Sequence, residues 1–226
     1  MFDDDSIPKR HEQTLAKVFS DTAPSNFTFH PDFCKWVWTT FNEHQWDLNW
    51  ANPQVFSEIV DVMLHLANNG ADVLRPDAVA FMCKRLGTRC QSEPEVHRLL
   101  RALQACCRIA FNAVLHLEET IVSPAEMVPD LERGDHDGRE GNLACHKSLM
   151  VPFWGALDTC DTGLMTHVLA SHFPDRLTNA TDATGIRWHD DIGWAVTDQD
   201  ATAVGLPGVY AHLRSTSPGR CRACKT

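Results

Sequence analysis

The 226-residue sequence has no run of about 18 consecutive apolar residues, so it implies no membrane-spanning helix. Basic residues are scarce. Twenty lysines and arginines stand against 30 aspartates and glutamates, a formal net charge of −10. That balance argues against a nucleic-acid partner or an anionic membrane surface, both of which call for positive charge. Neutral sugars fit better. The opening Met1-Phe2-Asp3-Asp4-Asp5 lacks the basic and apolar regions of a secretory signal. Cys221-Arg222-Ala223-Cys224 has zinc-knuckle spacing but lacks a second ligand pair nearby, so no metal site is expected there. The 9 cysteines are an odd number scattered through apolar segments such as Ala105-Cys106-Cys107-Arg108-Ile109. This pattern predicts reduced, buried thiols and a cytoplasmic location.

What is present is ordinary for a globular protein, with 43% hydrophobic and 22% charged residues. The most informative stretch is Ala71-Asp72-Val73-Leu74-Arg75-Pro76-Asp77-Ala78-Val79-Ala80-Phe81. It reads as a short buried strand ending in a charged pair. Residues two apart on a strand share a face, so Arg75 and Asp77 project together at its carboxyl end. An arginine beside an aspartate favours the ionised carboxylate, as a nucleophile requires. A structural ion pair is the other reading of the same two residues.

Helix and strand signals alternate along the chain. Asn52-Pro53 starts a helix, with Asn as cap and Pro at the first position. Val55, Ile59, Val62, Met63 and Leu66 continue it at helical spacing, and Asn69-Gly70 ends it. The first strand, 71–77, follows directly. Glu93-Pro94 opens a second helix with an apolar stripe from Val96 to Ala110, and a strand at 113–122 follows it. Residues 142–150 read as a further strand region, and Leu164, Val168 and Leu169 mark a helical segment. A strand at 185–194 ends in His189-Asp190-Asp191, and a helix begins near Thr197. This repeated helix–strand order is the unit of a parallel α/β sheet. Residues 1–50 lack periodicity and read as an irregular, aromatic-rich segment. In it Trp36, Trp38, Trp46 and Trp50 serve as packing anchors or, alternatively, as sugar-stacking faces. Asp135-His136-Asp137-Gly138 lacks the further ligands of a calcium loop and reads as a solvated turn.

Three strand ends, each delivering acids, are a carbohydrate-active pattern. The stretches 71–81, 113–122 and 185–194 resemble the strand motifs of the α-amylase superfamily, glycoside hydrolase family 13, and most closely those of amylosucrases. Phe41-Asn42-Glu43-His44-Gln45-Trp46-Asp47-Leu48-Asn49-Trp50-Ala51-Asn52-Pro53 resembles that family's segment leading into the third barrel helix. The resemblance runs from about residue 2 to residue 211. It implies an α/β fold that is a partial (β/α)8 TIM barrel, approximately strands four to seven with their helices. Residues 1–50 would be the remnant of an inserted subdomain, 51–211 the partial catalytic barrel, and 212–226 an unstructured tail.

By the same resemblance Asp77 is the nucleophile, Glu119 the general acid/base and Asp190 the third catalytic acid. The register of Ala113-Val114 and Ile121-Val122 favours Glu119 over Glu118, which stands where the family has a small residue. Arg75 and His189 match residues that bind the glucosyl unit and steady the nucleophile. Asp191, Ile121, Phe81 and Glu140 match positions on the leaving-group and acceptor side. The implied reaction is glucosyl transfer from sucrose to an α-glucan through a covalent glucosyl-enzyme, with no metal or organic cofactor. A sucrose hydrolase and a non-catalytic sugar-binding remnant are the alternatives. A metal-dependent hydrolase using His189, Asp190 and Asp191 fits the order of motifs poorly.

The sequence also departs from the family. Pro76 precedes the nucleophile, where a proline removes a ladder donor. His116-Leu117 replaces an aromatic–lysine pair, Trp188 replaces a small residue, and Cys145 and Lys147 replace an aromatic and an amide. The family's first three strands, its eighth strand and its flanking domains have no counterpart among these residues.

Overall fold

The computed structural model describes residues 1–15, 17–18, 23–119, 141–145, 147–172, 181–183, 185 and 197–206. The chain divides into two compact units. One comprises Met1–Ala71 and Ala78–Asn112; the other comprises Asp72–Asp77 and the described residues from Ala113 onward.

The first unit holds a short helix α1 (Ser6–Glu12), strands β1 (Phe27–His30) and β2 (Lys35–Trp38), and helices α2 (Pro53–Asn68) and α3 (Pro94–Ala110). β1 and β2 form an antiparallel hairpin that pairs Phe27 with Trp38 and Phe29 with Trp36. Alternation puts these four aromatics on one face. Phe27, Trp38 and Cys90 form a buried cluster, with Phe2, Leu15 and Trp36 packed against it. The Phe27 and Trp38 rings lie 4.6 Å apart, and the edge of His11 meets Trp38 at 4.7 Å. The segment expected to be irregular therefore contains a hairpin and a helix. Trp38 and Trp36 have the packing role. Trp46 packs against His30 and Phe33 yet stays 44% exposed.

The two long helices form where the sequence places them. Asn52 Oδ1 accepts the Gln54 amide at 3.1 Å, Pro53 takes the first position, and Gly70 follows the helix at φ +94°. In α3, Val96, Leu100, Leu103, Gln104 and Cys107 are buried along one stripe. α2 packs on α3. The thiols of Cys90 and Cys107 are free and buried.

The second unit is built on a four-stranded sheet in the order β3 (Val73–Leu74), β4 (Leu115–Glu118), β5 (Leu143–Cys145), β6 (Thr181–Ala183). Every pairing is parallel, with Leu74 opposite His116, Glu118 opposite Ala144 and Ala144 opposite Asp182. Sequential neighbours paired in parallel are the arrangement an α/β barrel requires. Helices α4 (Lys147–Thr159), α5 (Gly163–His172) and α6 (Asp198–Ala203) complete the unit. α4 packs on α5, and α5 on α6.

The strands are shorter than expected. The 71–77 strand is reduced to Val73–Leu74 because Pro76 offers no ladder donor and Ala78 turns the backbone to φ +52°. The 142–150 region is strand only at Leu143–Cys145; Lys147 to Met150 already belong to α4. A fourth strand lies at Thr181–Ala183, and the expected strand at 185–194 falls outside the described residues except for its first position. The Asp135–Gly138 loop, Trp188, the Cys221–Cys224 pair and the 212–226 tail lie outside the described residues.

Candidate active site

The chemistry-bearing residues gather just beyond the carboxyl ends of β3 and β4. β3 leads into Arg75, Pro76 and Asp77, and β4 leads into Glu119. Although Pro76 gives the ladder no donor, its carbonyl accepts the Glu119 amide at 3.3 Å. The backbone at Glu119 is thereby tied to the residue immediately before Asp77.

One nitrogen of Arg75 addresses both acids. Arg75 Nη2 donates a hydrogen bond to Glu119 Oε2 and stands 3.6 Å from Asp77 Oδ1. The tight partner of Arg75 is therefore Glu119, and Asp77, expected to be its first partner, is the looser one. The three side chains differ sharply in exposure: Glu119 is 1% exposed, Arg75 35% and Asp77 65%. A buried acid faces an accessible one, with a guanidinium between them. Arginine suits that place because its guanidinium is always charged and Nη2 alone carries two N–H donors.

Glu118 is buried as well, at 2%, but it turns towards β5. A Cβ on Gly141 would lie 2.9 Å from Glu118 Cδ, so a larger residue there would push the Glu118 carboxyl aside. Glu119 meets Arg75 on the β3 side while Glu118 lies against Gly141. The two consecutive glutamates thus have separate surroundings, as strand alternation demands.

Ala78, directly after Asp77, is a non-glycine residue at φ +52°. Such a backbone costs about 1–3 kcal/mol and is found where the surroundings over-determine it, often at functional sites. It caps a one-turn 3₁₀ helix, Val79–Phe81. Phe81 is half-buried in the other unit, where its ring edge meets Phe41 at 5.4 Å and 79°. Phe41 carries no chemistry of its own, and sequence reasoning did not single it out. Ile121, Glu140, His189, Asp190 and Asp191 lie outside the described residues.

No family model matches the chain. Its relatives are nonetheless clear. It is 32% identical over 184 residues to the trehalose synthase/amylase TreS of Mycolicibacterium smegmatis, across 81% of this chain and 31% of that protein. It is 35% identical over 181 residues to the trehalose synthase of Thermus thermophilus, across 77% of this chain and 18% of that protein. A glucosylglycerate phosphorylase of Spirochaeta thermophila is 40% identical over 92 residues, 41% of this chain and 16% of its own length. The structure of sucrose 6F-phosphate phosphorylase from Thermoanaerobacter thermosaccharolyticum matches with a TM-score of 0.61 at 20% identity, covering 86% of this chain and 39% of that one.

These relatives are all enzymes of glycoside hydrolase family 13, the α-amylase family. The structural likeness is one of fold, to a TIM-barrel enzyme, and the described residues form a partial α/β unit. The chain spans between 16% and 31% of the length of the curated relatives named here.

Proposed function

We propose that the chain is the central part of a retaining glucosyl-transfer enzyme of glycoside hydrolase family 13, carrying strands four to seven of the barrel. The observation that supports this reading most directly is the single Arg75 nitrogen in contact with carboxylate oxygens of both Asp77 and Glu119. Retaining glycosidases hold their two carboxyl groups only about 5–5.5 Å apart. Sharing one guanidinium nitrogen brings an oxygen of each acid to the same side-chain group, a proximity that favours the retaining arrangement.

In the proposed reaction the exposed Asp77 carboxylate attacks the anomeric carbon of a glucosyl donor. Glu119, as an acid, gives its proton to the departing glycosidic oxygen, so the leaving sugar departs neutral and a glucosyl–Asp77 ester remains. Glu119, now a base, takes the proton of an acceptor hydroxyl, which attacks the anomeric carbon and frees Asp77. Arg75 steadies the Asp77 carboxylate, and that of Glu119 once its proton has left, while Asp190 with His189 holds the glucosyl ring. Phe81, Ile121, Asp191 and Glu140 flank the leaving-group and acceptor side.

The particular donor and acceptor follow the resemblance of the strand motifs: sucrose and an α-glucan, as in an amylosucrase, in the cytoplasm. A second reading keeps the same glucosyl-enzyme and changes the partners. It is favoured by the relatives named above, which are trehalose synthases and glucosylglycerate phosphorylases.

The test is a chimaera in which residues 2–211 replace the matching segment of a complete trehalose synthase. Glu119→Gln in that chimaera should still form a glucosyl-enzyme from α-glucosyl fluoride, whose leaving group needs little acid help. The adduct should map to Asp77 by peptide mass spectrometry. A label on Glu118, or a Glu118→Gln variant that is dead while Glu119→Gln is active on natural donors, overturns the assignment. Release of fructose from sucrose against glucose exchange with trehalose separates the two donor readings.

A further inference from the structure

We infer that the β1–β2 hairpin and the loop after it carry a second sugar-binding site, an aromatic platform made by His30, Phe33 and Trp46. The inference takes its ligand class from the glucosyl-transfer reading but uses none of the candidate catalytic residues.

Three rings from three places in the sequence converge on the surface. His30 ends β1, Phe33 ends the 3₁₀ turn Pro31–Phe33, and Trp46 lies in the loop before α2. His30 and Phe33 are stacked, with centroids 5.2 Å apart and planes 15° apart. Trp46 stands almost perpendicular to both, 4.8 Å from His30 and 5.7 Å from Phe33. Phe33 and Trp46 nevertheless stay 39% and 44% exposed. The rings support one another while leaving apolar area to solvent, an arrangement that favours a ligand with a flat apolar face. The C–H face of a pyranose ring is such a surface.

The platform is held in place before any ligand arrives. The Asp47 amide donates to the Trp38 carbonyl at 3.0 Å. The Asp47 carboxylate accepts the Thr40 amide at 2.9 Å, the Thr40 hydroxyl at 2.6 Å and Lys84 Nζ at 2.5 Å. Trp46, adjacent to Asp47, is thus attached to a fixed backbone. Cys34, at φ +50°, donates its amide to Pro31 and closes the turn that presents Phe33. Such preorganisation lowers the entropy lost when a ligand is ordered.

The surroundings choose between possible ligands. Platforms for single-stranded nucleic acid pair their aromatics with a basic groove. Here the sequence neighbours Asp32, Glu43, His44 and Gln45 are all exposed, and two of them are acids. Lys35, opposite His30 in the hairpin, is engaged by Asp3. Exposed carboxylates next in sequence to the aromatic rings suit the hydroxyls of a neutral sugar better than a phosphate backbone.

The experiment uses the 226-residue chain and maltohexaose, with affinity electrophoresis in gels containing soluble α-glucan and calorimetric titration. The intact chain should be retarded, Trp46→Ala should lose about tenfold in affinity, and Trp46→Phe should recover part of the loss. Trp154→Ala, which removes another exposed tryptophan, should bind like the intact chain. Circular dichroism and thermal unfolding confirm that each variant is folded. Absence of retardation, retardation unchanged in Trp46→Ala, or an equal loss in Trp154→Ala would overturn the platform. Because the readout is binding and no variant touches a candidate catalytic residue, this outcome is independent of whether the chimaera forms a glucosyl-enzyme.

Discussion

His116 stands in a position that leaves one nitrogen of its ring unpaired among the described residues. The residue is 2% exposed on β4, and its buried Nε2 has no hydrogen-bond partner among the described residues. Burial holds its pKa below the ordinary histidine value. As pH falls through about 6.5, the unfolded chain takes up a proton that the folded chain refuses until lower pH. The stability gained from a neutral His116 is therefore present above about 6.5 and lost as the solution is acidified past that value. Replacing the ring with an apolar one of similar shape removes both the orphaned nitrogen and the titration. His116→Phe should raise stability by about 1–3 kcal/mol and make the fall in melting temperature between about pH 7 and 5 shallower. The slope will not vanish, because His11 is also held low by burial and by the nearby charges of Arg10 and Lys84. Thermal unfolding across that range is the check, and an unchanged pH slope would sink the argument. The sequence carried this signal, since a histidine stands at 116 where the resembled family has an aromatic. At the same scale, the register that separates Glu118 from Glu119 was legible. The reason Glu118 can be buried was not, because it lies in Gly141, far along the chain and informative only once the two strands pair.

At the scale of elements, legibility followed the strength of local chemistry. α2 and α3 were readable because Asn52-Pro53 and Glu93-Pro94 start them and an apolar stripe sustains each. The hairpin was missed although Phe27, Phe29, Trp36 and Trp38 alternate. Its turn uses Cys34 in the left-handed region, where glycine or asparagine would have flagged it. β6 was missed because Thr181-Asp182-Ala183 has no apolar run; its pairing with β5 decides it. The junction of α5 and α6 shows how much such elements owe to tertiary contacts. Thr197 caps α6 by accepting the Asp200 amide at 3.1 Å and donates its hydroxyl to Asp200 Oδ2 at 2.6 Å. His172 and His167 of α5 bring their Nε2 atoms to Asp200 Oδ1 at 2.7 and 3.3 Å. Burial opposes ionisation of Asp200, but the Thr197 and His172 hydrogen bonds and the charge of His172 outweigh it and hold its pKa low. A lowered carboxylate stabilises the fold above its unfolded value and loses that contribution as pH falls through the folded one. Asp200→Asn should therefore cost about 1–3 kcal/mol at neutral pH, and the gap to the unaltered chain should close below about pH 4. Hydrogen exchange in α5 and α6 gives the readout. Equal protection in both proteins at neutral pH would refute the role of this contact.

At the scale of the whole molecule, alternation of helix and strand predicted a parallel α/β sheet, and the four strands pair in chain order. What composition and periodicity do not convey is how much of a barrel that is. A complete (β/α)8 barrel takes about 250 residues and closes on itself so that no strand has an open side. Here β3 and β6 each have one hydrogen-bonded strand partner among the described residues. Parallel strands are stable when both faces and both edges are covered, and an open edge exposes amides and carbonyls to any other strand. Val73 on β3 is 43% exposed and Leu115 on β4 is 41% exposed, so apolar side chains accompany the open backbone. Asp77, at 65% exposed, also lies in water, where the charge stabilisation of a dry, preorganised site is lost. A polypeptide of these 226 residues alone should therefore self-associate and release fructose from sucrose far more slowly than a complete glucosyl-transfer enzyme of the family. Light scattering after size-exclusion chromatography reports the association, and a fructose assay reports the turnover. A monomeric, folded chain that turns over sucrose at the rate of an intact enzyme, with the activity abolished by Asp77→Asn, would show that four strands suffice and defeat the prediction.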